Sequence, residues 1–397
     1  MTDTSFSFRK IAFAAFGPTI LYGMANGAIL PVIALSAREL NASVAVAGLI
    51  VALIGIGSLI SNIPASMITS RYGERLSMTG AAALSVLALL LCITATHVLV
   101  LALGVLMVGM AASVFLLARQ TYLIEAVPPY MRARAMSMLG GTNRIGVFIG
   151  PFAGAGMIHF MGISGAYWVA VISMACAGLI AYAVPDLETQ NTETASAGPR
   201  PRIFDIARSH ARTYLTIGVA VLLVSALRAS RQVVIPLWAD HVGLNPTTTS
   251  IIYGLVAAID MSVFYPAGKV MDQHGRMWVA LPASLLMGLS LMAIPLTTHV
   301  VPFVIVALVL GFGNGISSGI VMTLGADASP VTGRMQFLGI WRLMQDLGTS
   351  SGPVVLSGIT AAASLATGIV AIGALGLVAA AMFRHWMPRL GLSRGAK

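Results

Sequence analysis

Residues 144–154 read RIGVFIGPFAG, and residues 346–354 read DLGTSSGPV. The stretches superpose at an offset of 202 residues, which sets Gly146 on Gly348, Gly150-Pro151 on Gly352-Pro353 and Arg144 on Asp346. The same offset pairs Gly73 with Gly275, Glu125 with Asp327 and Arg132 with Arg334. Repeated agreement at one offset, in separate regions, is the mark of an internal duplication. The chain is therefore read as two halves built on one plan.

The solvent of that plan follows from composition. Of 397 residues, 57% are hydrophobic and 9% charged, with a mean hydropathy of +0.90. A soluble domain carries roughly 25% charged residues, so most of this surface is expected to face a lipid bilayer. The 41 glycines and 22 methionines fit, since small residues let membrane helices pack closely. Cys92 and Cys176 stand alone in separate apolar runs and are read as buried thiols, with neither a disulfide nor a metal site suggested. The net charge of +10 is scattered through short loops rather than gathered on one face, which argues against nucleic acid.

A spanning helix needs about 20 mostly apolar residues. Such segments lie near 11–37, 45–69, 77–97, 98–126, 134–158, 163–184, 213–239, 247–271, 277–298, 300–326, 335–360 and 363–386. The first is too long for the apolar region of a signal peptide and lacks a small-residue cleavage site, so it is read as a retained helix. The expected fold is all-α, with twelve transmembrane helices in two pseudo-symmetric halves. Residues 1–184 form one six-helix bundle, 185–212 a cytoplasmic linker, and 213–397 a second bundle with a short cytoplasmic tail. The end of the linker at 200–212 has two readings, a solvated basic stretch or a short helix on the membrane, the first being simpler. Arg71, Arg75, Arg132, Arg134, Arg200, Arg202, Arg208, Lys269, Arg276, Arg334, Arg389, Arg394 and Lys397 fall on one side, and Arg38, beside Glu39, on the other. Positive charge marks the cytoplasmic side, so both termini are expected in the cytoplasm and the protein in the cell inner membrane. Parallel six-helix repeats of this kind are a known transporter architecture.

The sequence GKVMDQHGR at 268–276, after the eighth segment, resembles the loop motif G-x-x-x-D-R/K-x-G-R/K of the major facilitator superfamily. Gly268 is read as permitting close helix contact, Asp272 as an acceptor for a neighbouring helix N-terminus and Gly275 as the tight turn, followed by Arg276. The first-half copy, SMITSRYGER at 66–75, keeps Arg71, Gly73 and Arg75 but has Ser66 and Ser70 in place of glycine and aspartate. GVFIGPFAG at 146–154, with Gly146, Gly150, Pro151 and Gly154, resembles the G-x-x-x-G-P-x-x-G motif of the drug:proton antiporters. Glycines at this spacing let a partner helix approach, and Pro151 allows a bend. The branch's R-x-x-Q-G motif in the fourth helix is replaced by VLMVG at 105–109, where no arginine stands. The resemblance implies a carrier working by alternating access and favours export.

Ionisable residues inside spans are costly and are functional candidates by default. Arg144 lies about ten residues, roughly 15 Å, into the fifth segment, and Asp346 occupies the equivalent place in the eleventh. Asp260 lies at similar depth in the eighth. The family places the fifth and eighth helices together, so an Arg144–Asp260 latch is expected, with static ion pairing as the alternative. Arg228 and Arg231 lie on adjacent turns of the seventh segment; Arg228 is a candidate anion clamp, and Arg231 either joins it or snorkels outward. Arg342, one turn before Asp346, is placed to neutralise it. Arg119, in the fourth segment, is a candidate for the substrate cavity. Glu125 and Asp327 are expected to pair with Arg132, Arg134 or Arg334 at a cytoplasmic gate. Tyr22, Asn26, Asn143, Tyr253, Asn314 and Gln345 are read as hydrogen-bonding helix glue or cavity lining.

These charges leave the interior positive, which points to an anionic substrate group. The leading expectation is proton-coupled export of a small amphiphilic or anionic compound, such as a drug, metabolite or chelator. Asp260 or Asp346 would carry the proton. The alternative is uptake of an organic anion by proton symport. No paired-carboxylate, H-E-x-x-H or G-x-S-x-G arrangement appears, so neither enzyme activity nor a cofactor is expected. The expected partners are a small-molecule substrate, protons and the bilayer, with the monomer as the working unit.

Overall fold

The computed structural model describes residues 8–127, 132–183, 203–330 and 332–392, apart from the side chains of 8–15, 132–134, 203 and 335. The side chains of Arg132 and Arg134, all of Arg200, Arg202, Arg394 and Lys397, and linker positions 185–202 lie outside the described residues. Among the described residues there is no strand. Lipid explains this: backbone groups find no water there, and only a helix satisfies them within its own segment.

Helix α1 is Phe8–Glu39. The next run, Val44–Ile93, has 50 residues, about 75 Å at 1.5 Å per residue and more than twice a hydrocarbon core of about 30 Å. Gly73, at φ 76 and ψ 168, breaks it into α2 (44–72) and α3 (74–93). The polar stretch expected as a loop near 70–76 is thus mostly helical. The hydroxyls of Ser66 and Ser70 donate to the carbonyls of Ile63 and Met67 in their own helix, so these polar side chains do not end it. There follow α4 (Val98–Ala126), α5 (Arg132–Met161) and α6 (Ser164–Ala183). A short helix, Ile203–Ser209, occupies part of the stretch read most simply as solvated linker. The second set comprises α7 (Ala211–His241), α8 (Pro246–His274), α9 (Met277–Leu296), α10 (Val300–Ala328), α11 (Arg334–Ala362) and α12 (Leu365–Arg389).

Ten described helices are long and apolar enough to cross a membrane. The division at Gly73 adds one crossing. Helix α11 completes twelve: its 29 residues suffice, although Arg334, Arg342 and Asp346 lower its hydropathy. The protein is thus an all-α integral membrane protein of twelve transmembrane helices.

Two compact units emerge, and they interleave along the chain. Unit 1 contains Met1–Ala42, Leu53–Gln190 and Pro246–Gly254; unit 2 contains Ser43–Ala52, Asn191–Asn245 and Leu255–Lys397. In unit 1, Gly254 lies against the ring of Phe152, and in unit 2 Gly48 lies against Val233 and Ser357.

Within each unit, glycines set the helix spacing. A Cβ on Gly146 would lie 2.7 Å from the amide nitrogen of Met24 on α1, and one on Gly150 would lie 2.7 Å from that of Ala28. The carbonyls of Ile20 and Met24 come closer still. In unit 2 the corresponding glycines of α11, Gly348 and Gly352, meet the carbonyls of Leu222 and Ala226 on α7. The partners obey the same 202-residue offset as the glycines. So does a second seam, Gly109 on Ile54 and Gly311 on Val256. The duplication seen in sequence is therefore also a duplication of contacts. Cys92 is buried as expected, whereas Cys176, also expected to be buried, is exposed on α6.

Gly150→Leu is expected to lower the thermal midpoint by roughly 6–12 °C, from about 3 kcal/mol of overpacking at 2–4 °C per kcal/mol. Gly156→Leu, whose Cβ would meet nothing within 4 Å, should leave it nearly unchanged. Scanning fluorimetry of the purified variants measures both, and equal shifts would disprove the glycine seam.

Candidate functional site

Unit 2 holds a polar network within its apolar spans. Helix α10 carries GFGNG at 311–315. Gly311 packs on the Val256 backbone, and a Cβ on Gly315 would lie 2.6 Å from the Asp260 carbonyl oxygen. Close approach of α10 to α8 is thus built at the residue whose side chain matters. Between the two glycines, Asn314, 2% exposed, donates from Nδ2 to Asp260 Oδ2 at 2.6 Å. Its Oδ1 accepts from Arg228 Nε at 3.1 Å. The amide orientation follows from its neighbours, because only the oxygen can face a guanidinium and only the nitrogen a carboxylate. Arg231 completes the network, with Nη2 3.9 Å from the same Asp260 oxygen.

Arg231 therefore turns inward rather than snorkelling: its side chain is 12% exposed, and that of Asp260 15%. Its Nε finds no hydrogen-bond partner. Two guanidiniums, one carboxylate and one neutral bridge converge. Sequence reasoning had both arginines and Asp260 but ranked Asn314 among helix glue. The flanking glycines were the signal that α10 comes close enough for a short side chain to bridge α7 and α8.

The equivalent place in unit 1 has different chemistry. The 202-residue offset maps Arg228, Arg231 and Asn314 onto Asn26, Ile29 and Ala112. These three, with Tyr22, Ser85 and Met174, line a cavity of about 10 Å³, about the size of one water. Nearby on α4, Arg119 is 8% exposed, its guanidinium carbon 5.8 Å from the centre of the Tyr22 ring. That ring stacks on Phe115 with centroids 5.2 Å apart.

At the turn between α8 and α9, Gly275 has φ 101, a left-handed conformation that glycine adopts without strain. The turn aims Arg276 back at its surroundings. Nε donates to Asp327 Oδ2 at 2.9 Å, and Nη1 to the Met271 carbonyl at 3.1 Å and Asp272 Oδ1 at 3.2 Å. Burial alone would lower the Arg276 pKa, but its hydrogen bond and charge contact with Asp327, reinforced by Asp272, raise it above the ordinary value. Asp327 is thus met by Arg276, where sequence had suggested Arg132, Arg134 or Arg334; Arg334 is exposed. Asp272 meets Arg276 rather than a helix N-terminus. A Cβ on Gly268 would touch nothing within 4 Å, so this glycine does not provide close packing.

Arg71 is exposed over the neighbouring Tyr72 ring, and Glu125 is exposed at the end of α4. Arg342 meets Asp346 at 3.8 Å as an i,i+4 pair, with side chains 65% and 29% exposed. Arg144 is half-buried on α5 in unit 1, one residue before the Ile145-Gly146 step. Pro151 and Gly154, one turn and more beyond, are buried on the same helix.

A duplicated plan of membrane-spanning helices thus encloses a charged network within apolar spans. The sequence model of the Major Facilitator Superfamily matches residues 16–331 and 217–395, and the chain belongs to that family. It is 22% identical over 245 residues to the Multidrug resistance protein MdtH of Shigella boydii, covering 62% of this chain and 60% of the relative. The MdtH protein of Klebsiella pneumoniae is 22% identical over 254 residues, 64% of this chain and 62% of the relative. The match therefore spans about three fifths of these curated relatives' length. Among solved structures, the fold is similar to a bacterial homologue of the human lysosomal transporter Spinster, with TM-score 0.78 and 13% identity over 98% of this chain and 99% of that one. It is also similar to a POT family transporter bound to a thioalcohol-conjugated peptide, with TM-score 0.79 and 12% identity over 96% of each chain.

Asp260→Ala should destabilise the protein because it removes the counter-charge of Arg231. In the Asp260→Ala/Arg231→Ala double variant the losses should fall short of additivity by about 1–3 kcal/mol. Additive thermal midpoints would mean that the two are uncoupled. Arg276→Lys keeps the charge but not the reach of a guanidinium to three acceptors. It should cost about 1–3 kcal/mol, close to the loss in Arg276→Ala, as judged by denaturation of the purified variants.

Proposed function

We propose that this carrier is a proton-coupled exporter of small amphiphilic or anionic compounds, working by alternating access in the cell inner membrane as a monomer with both termini cytoplasmic. Residues 1–184 and 213–397 would be the two moving halves and 185–212 their cytoplasmic linker. The observation that carries the reading is the sharing of Asp260 Oδ2 between Asn314 and Arg231. A carboxylate in that position exchanges its ion pair for a proton. Protonation cancels the attraction for Arg231 and weakens the acceptor that orients Asn314, and through Asn314 it alters the hold on Arg228. One proton thereby changes the pairing of three helices, α7, α8 and α10, within a single unit.

The G-x-x-x-G-P-x-x-G resemblance at 146–154 and the multidrug relatives favour export. The positive-inside distribution of arginines supports the orientation, and the surplus of guanidinium over carboxylate supports an anionic group on the substrate. Arg144, Arg342 and Asp346 are placed as secondary coupling or binding groups. Arg71, Arg276, Asp327, Glu125, Arg132 and Arg334 are assigned to the cytoplasmic gate. Proton-symport uptake of an organic anion would use the same charges with the opposite direction of net flux.

Proteoliposomes with an imposed pH gradient test the proposal, with ethidium and salicylate as probes. Wild type should move a probe against its gradient in exchange for protons. Asp260→Asn should abolish gradient-driven accumulation while retaining downhill exchange. Wild-type accumulation by Asp260→Asn would remove Asp260 as proton carrier, and flux of protons with the probe would establish symport instead.

A further inference from the structure

We infer that Arg119 is an anion-docking residue, and that the group it takes is the single carboxylate or similar monoanion of an amphiphilic, preferably aromatic, ligand. The inference rests on the reading of this chain as a carrier of amphiphilic or anionic compounds and names the half that receives the acid.

Arg119 stands seven residues before the end of α4 (Val98–Ala126), about 10 Å along the axis. A long side chain at that depth usually snorkels to the interface. This one does not: the residue is 8% exposed, and Nε and Nη1 are buried with no hydrogen-bond partner. Arginine cannot escape the cost of burial by losing its proton. An uncompensated cation at that depth costs several kcal/mol, so something must balance it.

Unit 1 supplies no carboxylate for the purpose. The acidic residues of its described helices are Glu39, Glu74 and Glu125, each at or beyond a helix end or break, and none lies between 75 and 124. Glu125, six residues along the same helix, points from a different face and is exposed. Arg119 instead has the Tyr22 ring, 5.8 Å away. Such a contact adds roughly 0.5–2 kcal/mol, short of a full counter-charge. The contrast with unit 2 is direct, since there Arg231 has Asp260 and Arg228 has Asn314.

The surroundings specify the ligand. A guanidinium offers a planar fork of donors that matches a carboxylate. Tyr22 and Asn26, one turn apart on α1, add a hydroxyl and an amide beside the small cavity they both line. The stacked pair Tyr22–Phe115 forms an apolar aromatic wall next to the cation. Cation, neutral donors and an aromatic wall suit an aromatic acid better than a lipophilic cation, which Arg119 would repel, or a polyanion, which one guanidinium would leave unbalanced.

The test measures thermal midpoints of the purified full chain with millimolar salicylate, or with salicylamide as its neutral counterpart. Salicylate should raise the wild-type midpoint by about 2–4 °C at a few-fold excess over Kd, and salicylamide should not. Arg119→Gln should lose the shift, while its ligand-free midpoint equals or exceeds wild type because an uncompensated charge is gone. Arg119→Lys should keep part of the shift, and Arg228→Gln most of it. A salicylate shift that survives Arg119→Gln, equal shifts for acid and amide, or no shift in wild type overturns the inference. So does a collapse in yield of Arg119→Gln, which would show the charge to be structurally paired. The two readings fail separately. Gradient-driven ethidium transport with no Arg119-dependent anion binding leaves the exporter standing, and Arg119-dependent binding without proton-driven transport leaves only the site.

Discussion

Helices in lipid gain nothing by hiding apolar side chains from one another, because hydrocarbon is as apolar as leucine. What holds this bundle is backbone approach, and glycine is what permits it. Gly146 and Gly150 let α5 settle on the carbonyl row of α1, and Gly348 and Gly352 do the same for α11 on α7. Gly311 and Gly315 bring α10 onto α8. Every polar contact of the candidate site depends on that spacing. Asn314 is a short side chain, and it bridges Arg228 to Asp260 only because the glycines on either side let α10 come within reach.

The same solvent makes each buried charge consequential. In unit 2 the arginines of α7 are matched by a carboxylate and an amide on neighbouring helices. In unit 1 the equivalent positions are Asn26, Ile29 and Ala112, and the buried cation has moved to Arg119 on α4. Duplicated backbones have thus been given divided chemistry. One unit carries a network centred on a carboxylate, and the other a guanidinium that its own described helices leave without an acidic partner.

At the end of the second-half loop motif, structure corrected sequence in detail. Asp327 was legible as a charge at a helix end, but its partner was not: Arg276 reaches it because Gly275 turns the chain through a left-handed conformation. Gly268 belongs to the same motif, yet a Cβ there would meet nothing within 4 Å. Asp272 and Arg276 lie one turn apart, a spacing visible in sequence, whereas Asp327 arrives from 51 residues away. Likewise Ser70, in the stretch expected as a loop, proved helical, since its hydroxyl is satisfied by a carbonyl of its own turn.

By itself the sequence determined what depends on solvent and period. Hydropathy and the scarcity of charge dictate a membrane protein. The lengths of the apolar runs set the crossings, and the 202-residue offset sets the two-fold plan, because spanning and duplication are written along the chain. It also singled out Arg228, Arg231, Asp260 and Arg119, since charge inside a span is conspicuous wherever its neighbours lie. Only the tertiary structure decided which of these charges meet. Whether Arg231 snorkels or turns inward depends on a carboxylate one helix away, and whether Arg119 is matched depends on what α1 presents to α4. Those answers arise from distances between helices, and residues far apart in sequence encode such distances only jointly, through the glycines that let their helices touch.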